Sequence, residues 1–144
     1  MYSALTIANK IIELSQNEGR VITHLKLQKI LYFSQGWYLT LTGNPSFSDE
    51  IVAFKYGPVI KSIYEIFRIF GSKNITKIAE STEQVENKDN EFINKIWNLY
   101  KNHDAISLSN ISHIKNGPWD VTNINDIITT DIIQNYFTGK LNAN

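Results

Sequence analysis

One apolar stripe, running through residues 23–41, limits the folds open to this chain more than any other feature of the sequence. The stripe advances in steps of four and three residues, which is the period of one face of an α-helix. Thr23 can cap its start, and the turn-forming residues at 42–45 end it. The pattern predicts a central helix with a broad buried face, formed by Leu27, Leu31, Ser34, Tyr38 and Leu41 and widened by Ile30, Phe33 and Trp37.

Shorter segments with helical period predict further helices around this one. Gly57 and Pro58 are predicted to open one of them, because a proline at the first helical position lacks an N–H that would have no helical partner. Ser107 is predicted to cap a short helix that turns Leu108 and Ile111 inward. The predicted helices are residues 3–16, a segment from Pro58 to Phe70, residues 89–102, the short helix after Ser107, and a last helix capped by Thr129 or Thr130.

The apolar Phe47, Ile51, Ala53 and Phe54 lie around the turn-forming Ser48, Asp49 and Glu50. They predict a short β-hairpin of residues 46–48 and 51–55, to which Ile127 and Ile128 add an edge strand. Residues 72–90 are polar and predict a mobile loop, tethered by Ile75 and Ile78. The chain has 144 residues and is 42% hydrophobic, which is enough for one core. We therefore expect a single domain over residues 1–144 that is mainly α, with about six helices and a small two- or three-stranded antiparallel β element, α+β in the broad sense.

The charge and cysteine content exclude several classes of protein. Fourteen basic and fourteen acidic side chains give a formal net charge of zero, so the overall field with which nucleic-acid binders attract phosphates is missing. No cysteine is present, which excludes disulfides and thiolate metal sites and favours a reducing cytoplasm. No apolar run approaches the roughly 20 residues of a membrane span. We expect a cytoplasmic protein without a membrane partner.

Catalytic and metal-binding patterns are missing from the sequence. His24, His103 and His113 do not pair at helical spacing, and no nucleophile elbow or glycine-rich phosphate loop occurs. Asp49 and Glu50 could imitate a carboxylate pair, but adjacent strand residues point to opposite faces, so a solvated turn is the better interpretation. We expect no catalytic residues, no metal and no cofactor.

Lysines and tyrosines alternate along the predicted central helix in a way that a nucleic-acid surface would also show. Lys26 and Lys29 are three residues apart and so share a helix face, near Tyr32 and Tyr38. Two lysines do not make the basic stripe that phosphate binding requires. The preferred interpretation is an ordinary solvated face, and nucleic acid is not an expected partner.

Three segments of the chain resemble, in the same order, the Panacea domain, the SocA/GepA-like antitoxin family that includes phage-associated proteins. Residues 25–39 are similar to the family's L-x-K-L-Q-K-L-L-Y-Y-A-Q-G-x-x-L helix. Residues 51–59 are similar to I-x-A-W-x-x-G-P-V, with Phe54 in place of tryptophan. Residues 108–113, followed by Pro118 and Trp119, are similar to L-S-x-x-T-H and P-W, with Ser112 in place of threonine. The final segment from Ile128 to Phe137 also resembles the family's closing pattern.

The resemblance implies a bacterial or phage-encoded antitoxin that neutralises a cognate protein toxin by direct binding, and it does not name the toxin. Three alternatives stay open. The chain could be an adaptor that delivers a bound toxin to a AAA+ protease, which would then be a second partner. It could be a phage or mobile-element regulator that binds nucleic acid, which a basic cluster of Lys26, Lys29, Lys55 and Lys61 would favour. It could also be a hydrolase, which would need a deep pocket with a nucleophile and a base.

Two groups of site residues follow from these segments. The lysines are expected to lie on solvated faces and to contact the partner, because the motifs specify them without a packing role. Gln28 must pair if it is buried, so it either holds a loop or contacts the partner. The predicted partner-binding residues are Lys26, Gln28, Lys29, Tyr32, Lys55, Tyr56 and Trp119, and the predicted structural residues are Leu27, Leu31, Trp37, Tyr38, Gly57, Pro58, His113 and Pro118.

Overall fold

The central helix predicted from the apolar stripe forms the axis of the fold. In the computed structural model of the chain, which describes residues 1–81 and 83–143, this helix is α2, His24–Thr42. The Thr23 side chain caps it by accepting a hydrogen bond from the Lys26 N–H, as predicted. Gly43 ends it in the left-handed conformation, with a φ of 78°. Five helices and a small sheet contact α2, so it is enclosed on several sides.

Six α-helices and a two-stranded antiparallel sheet make up the regular structure of the described residues, which confirms the predicted mainly α, α+β fold. A 3₁₀ turn, Arg68–Phe70, extends the third helix. In the sheet, Ile51 lies opposite Ile60 and Phe54 lies opposite Gly57. The other elements are α1 Ala4–Asn17, β1 Ile51–Phe54, β2 Gly57–Ile60, α3 Lys61–Phe67, α4 Asn87–Tyr100, α5 Ala105–Ser112 and α6 Thr130–Asn142.

The core lies between α2 and the helices that surround it. Leu27 and Leu31 of α2 are fully buried, as predicted, with 0% of their surface exposed. Helix α6 approaches α2 closely at Gly36, where a Cβ atom would collide with the Phe137 ring. Only glycine at this position lets the two helices approach so closely. Of the helices in residues 1–81 and 83–143, none is long and apolar enough to cross a membrane.

The hairpin is formed by other segments than predicted. Gly57 and Pro58 do not open a helix but begin β2, and α3 starts only at Lys61. Residues 46–48 are not a strand of the hairpin; Phe47 instead forms a single parallel bridge with Tyr2. The predicted edge strand survives as a single bridge between Val52 and Ile127, beside which the Ala53 N–H donates to the Asp126 carbonyl oxygen over 2.9 Å.

Two details of the helix predictions are also wrong. The residue that caps α5 is Asp104, whose side chain accepts from the Ser107 N–H, so Ser107 lies inside the helix that it was predicted to cap. Leu108 of this helix is buried, as predicted, but Ile111 is 39% exposed. Thr129 caps α6 by accepting from the Ile132 N–H, which agrees with the prediction.

Residues 72–81 and 83–86, called the strap below, contain no helix or strand and cross α1 on the way to α4. Ile75 tethers the strap as predicted, with 5% exposure, whereas Ile78 is 43% exposed and does not. Helix α4 begins at Asn87, inside the predicted loop of residues 72–90. The mobility of that loop stays a prediction.

Candidate functional site at the hairpin turn

The three segments that resemble a known family meet at one turn, Phe54–Gly57, between the two strands. The indole N–H of Trp119 donates to the Phe54 carbonyl oxygen over 2.7 Å. The Lys29 ammonium donates to the Tyr56 carbonyl oxygen over 3.0 Å. The turn is therefore held from two sides, and both bonds are made to its backbone.

Lys29 is not on a solvated face, which corrects the prediction from its position. Its side chain has 0% exposure, and no carboxylate among the described residues lies within 4.0 Å of its ammonium. Burial without a compensating charge lowers the pKa of Lys29 to about 8. The residue is an internal support of the turn, and its predicted direct contact with a partner loses its premise.

Gly57 and the third segment complete this support. Gly57 has a φ of 120°, which favours glycine, and a Cβ atom there would collide with the Lys29 Nζ atom. The same Cβ would lie 3.0 Å from the His113 Cε1 atom. The His113 ring packs against Trp119 with 4.2 Å between the ring centroids. Gly57 and His113 thus lie against the support of the turn, and Pro58 and Pro118 are buried, although Gly57 and Pro58 begin a strand and not the predicted helix.

Gln28 holds a strand, which settles the choice left open by the sequence. Its side-chain oxygen accepts from the Ile60 N–H over 2.8 Å, and its amide nitrogen donates to the Ile60 carbonyl oxygen over 3.1 Å. The amide nitrogen also lies 3.1 Å from the Nε2 atom of His24. Because Gln28 is 2% exposed and its amide pairs within the fold, it supports β2.

The remaining aromatic residues of α2 serve the core. Tyr32 was predicted to contact the partner, but it is 1% exposed and packs edge-on against Phe137. Burial raises the pKa of Tyr32 far above its ordinary value. The Trp37 indole donates to the Tyr100 hydroxyl over 2.8 Å, and the Tyr38 hydroxyl donates to the Asp89 carboxylate over 3.0 Å. Trp37 and Tyr38 are therefore both tied to other helices of the fold by side-chain hydrogen bonds.

Only part of the predicted binding surface is open. The Lys26 ammonium is engaged by the Lys101 carbonyl oxygen at 2.7 Å and lies 5.7 Å from the centre of the Trp97 ring. By contrast, Lys55 is exposed and Tyr56 is 69% exposed. The Lys55 ammonium lies 5.4 Å from the centre of the Tyr56 ring. These two residues form the tip of the turn and are the accessible members of the predicted set.

A cleft of about 510 Å³ opens beside the turn, between the start of α2, the hairpin and α3. Its walls are largely aromatic and aliphatic, from Leu25, Phe54, Tyr56, Val59 and Tyr64. Among the described residues, no serine, threonine or carboxylate lines it. Nor do three His, Asp or Glu side chains of the described residues gather where a metal ion could bind.

Sequence reasoning missed the cleft-lining residues outside the motifs, above all His24, Leu25 and Tyr64. Tyr64, on α3, is 39% exposed and lines the cleft. A signal for His24 existed in its spacing, because it precedes Gln28 by one helical turn. Burial lowers the pKa of His24, which favours the neutral ring beside the Gln28 amide.

Comparison with known proteins bears on this geometry. The sequence model of the family described as "Antitoxin SocA-like, Panacea domain" matches residues 27–120, a range that includes the turn, Lys29 and Trp119. Over 129 residues the chain is 29% identical to Antitoxin SocA of Caulobacter vibrioides, covering 82% of this chain and 69% of that protein. No solved structure matches the chain significantly.

Proposed function

Since the chain belongs to the SocA-like Panacea antitoxin family, we propose that it neutralises a cognate protein toxin by binding it directly, without catalysis of its own. An antitoxin family implies a toxin as partner. We propose further that binding alone neutralises the toxin and that the hairpin turn is the contact surface. We also propose that the two proteins meet in the cytoplasm, because a chain without cysteine has no disulfide that a reducing compartment could break.

The observation that carries the proposal is the exposure of Tyr56 on a turn whose backbone is held by buried donors. Tyrosine is among the residues that contribute most to binding energy at protein interfaces. A surface already held in its binding conformation loses less entropy when the partner arrives. The bonds from Lys29 and Trp119 reduce the freedom of the turn before any partner is present.

Nucleic-acid binding gains no support from the arrangement of the lysines. The basic cluster that would have favoured it consists of Lys26, Lys29, Lys55 and Lys61. Lys29 is buried and Lys26 is engaged by a carbonyl oxygen, which leaves Lys55 and Lys61 exposed. Two exposed lysines are far from the six to ten phosphate contacts of a typical DNA-binding protein.

The test is binding to the product of the neighbouring gene, purified and measured by isothermal titration calorimetry. We expect Tyr56→Ala to weaken the complex by more than about tenfold, equivalent to about 1.4 kcal/mol. Its melting curve should match the wild type, because a side chain that is 69% exposed contributes little to folding. Leu99→Ala, a change at a 57% exposed position on α4, is the matched control and should bind normally. Equal affinity of the two variants would remove the turn from the interface.

A pulse-chase measurement in cells separates sequestration from delivery to a protease. If binding alone neutralises, co-expression restores growth while the half-life of the toxin stays unchanged or lengthens. A shortened half-life that depends on a AAA+ protease would assign the chain to the adaptor class instead. A neighbouring gene product that is harmless when expressed alone would contradict both.

A further inference from the structure

The cleft beside the turn combines apolar walls with positive charge. Leu25, Phe54 and Tyr64 supply apolar surface, and the exposed Lys55 stands at its edge. No Asp or Glu of the described residues lines it, although the whole chain has as many acidic as basic side chains. The cleft is therefore a place where an unbalanced positive charge persists on a neutral protein.

The buried ammonium of Lys29 adds to the positive charge of the cleft. It also lines the cleft, it is fully buried, and its one hydrogen-bond acceptor in the described residues is the neutral Tyr56 carbonyl oxygen. An ammonium has three donors and here it lacks a counter-charge. In a buried setting its field is screened less than it would be in water, so it favours an anionic group brought into the cleft.

The start of α2 contributes in the same direction. The cleft is lined by His24 and Leu25, the first two residues of this 19-residue helix. The first turn of a helix carries a partial positive charge that stabilises a neighbouring anion. Three separate sources of positive potential, namely Lys55, Lys29 and the helix start, thus meet at one apolar cleft.

We propose that the cleft accepts an acidic segment of the partner toxin, in which an apolar side chain lies next to an aspartate or glutamate. The apolar side chain packs among Leu25, Phe54 and Tyr64, and the carboxylate lies beside Lys55, above the buried charge of Lys29. This inference rests on the proposed function and adds the chemistry of the partner's contact segment. A nucleic-acid strand fits less well, because the cleft edge offers one exposed lysine and its walls are apolar.

The experiment measures the affinity of the purified product of the neighbouring gene for three charge variants of this chain. Lys55→Glu should weaken the complex by more than about tenfold, and Lys55→Arg should stay within about threefold of the wild type. Lys95→Glu changes an exposed lysine of α4 that does not line the cleft, and it should stay within about twofold. The wild-type complex should weaken from 50 to 300 mM NaCl more steeply than the complex of Lys55→Glu.

The contact segment itself is identified by overlapping 12-residue peptides that span the sequence of the same gene product. Peptides that bind the wild type and lose binding to Lys55→Glu should carry an acidic residue beside an apolar one. Changing that acidic residue to lysine in the full-length toxin should restore binding to Lys55→Glu. A single-stranded DNA oligonucleotide that displaces the toxin through Lys55 would overturn the proposal.

Failure of this inference and failure of the proposed function give different results. If the toxin binds and is neutralised, but Lys55→Glu has the same affinity as Lys95→Glu, the acidic segment is refuted and the antitoxin role remains. If the wild type forms no complex with the product of the neighbouring gene, both fall. Melting curves of all variants show whether any loss of binding comes from loss of the fold.

Discussion

The hairpin turn and the strap both lie outside the helices, yet they are held in different ways. The turn is held by the buried Lys29 and by the Trp119 indole, with Gln28 supporting the adjacent strand. The strap is held at the edge of α1. There the Asn9 amide pairs with both the N–H and the carbonyl oxygen of Ala79, at 3.2 and 2.6 Å. Further along the strap, the Glu83 carboxylate accepts from the Ser3 N–H over 2.9 Å.

Access to water separates the two regions. Lys29 and Gln28, which hold the turn and the adjacent strand, are buried with 0 and 2% exposure, so an opened turn leaves buried polar groups unpaired, which is costly. The strap is anchored by the buried Asn9, which is 7% exposed, but its own residues Ala79 and Glu83 are half-buried and exposed, so water can reach their polar groups when the strap lifts. Segments with solvent-accessible hydrogen bonds and few apolar contacts open at low free energy. We therefore expect the turn to be rigid and the strap to open locally.

The largest effect is expected from the helix on which both regions depend. Leu31→Ala should cost about 2–5 kcal/mol of unfolding free energy, because Leu31 is fully buried and its loss leaves a cavity. Urea denaturation monitored by circular dichroism gives the cost, and hydrogen exchange shows where protection falls. Both regions should lose protection together in the global unfolding reaction. If one region alone lost protection, the chain would contain two cooperative units.

A direct contrast comes from the two side-chain amides. Gln28→Ala removes the partner of the buried Ile60 N–H, at about 1–3 kcal/mol. Asn9→Ala removes the hydrogen bonds to Ala79, which is half-buried, and should cost about 1 kcal/mol. The midpoints of urea unfolding decide the order. Equal costs for the two variants would mean that the strap is held as firmly as the strand.

Alkaline pH should affect the turn through Lys29. Its pKa is about 8 in the fold against 10.5 when unfolded, so between these values the unfolded chain binds a proton that the folded chain has released. Stability must therefore rise with pH across this window, at up to about 1.4 kcal/mol per pH unit. Thermal melts from pH 8 to 9.5 should show the rise in the wild type and not in Lys29→Met. Parallel curves would place the ammonium in contact with water.

Acid should weaken the attachment of the strap before it weakens the turn, and this is the smallest of the expected effects. The Ser3 N–H and the Thr6 hydroxyl lower the pKa of Glu83 from its ordinary 4.5. The stabilisation is complete above 4.5 and is lost as the pH falls through the lowered value. Limited proteolysis between pH 6 and 3, with an acid-stable protease, should therefore cut the strap before the turn. Glu83→Gln should be cut equally at both pH values. An acid-resistant strap would contradict the comparison.

Much of the fold could be predicted because its helices have strong apolar periods and recognisable caps. Thr23 and Thr129 are caps by sequence and by structure. The hairpin register could not be predicted in the same way. Proline fits the first turn of a helix and is uncommon in strands, so Pro58 favoured the wrong element. Pro58 lies in β2, and this strand is held by the hydrogen bonds between Ile60 and Gln28 of the distant helix α2.

Part of the membership of the candidate site could be predicted from the sequence, but its geometry could not. The three motifs do converge, and Tyr56 and Lys55 are exposed as expected. The burial of Lys29 escaped prediction for a physical reason, since lysine is almost never fully buried without a paired charge. Its helix also lacks a broad solvated face, because five other helices and the sheet contact it. Neither local period nor composition reports how many neighbours a helix will have.

The side chains that support the turn form their hydrogen bonds with main-chain atoms, and this has an evolutionary consequence. Trp119 bonds the carbonyl oxygen of Phe54, Lys29 that of Tyr56, and Gln28 both polar groups of Ile60. None of these bonds specifies the side chain at the position that it holds. Substitutions at Lys55 and Tyr56 can therefore accumulate while the loop keeps its shape. Such a scaffold can exchange one target for another through a few mutations at its tip, as antibody loops do on a constant framework.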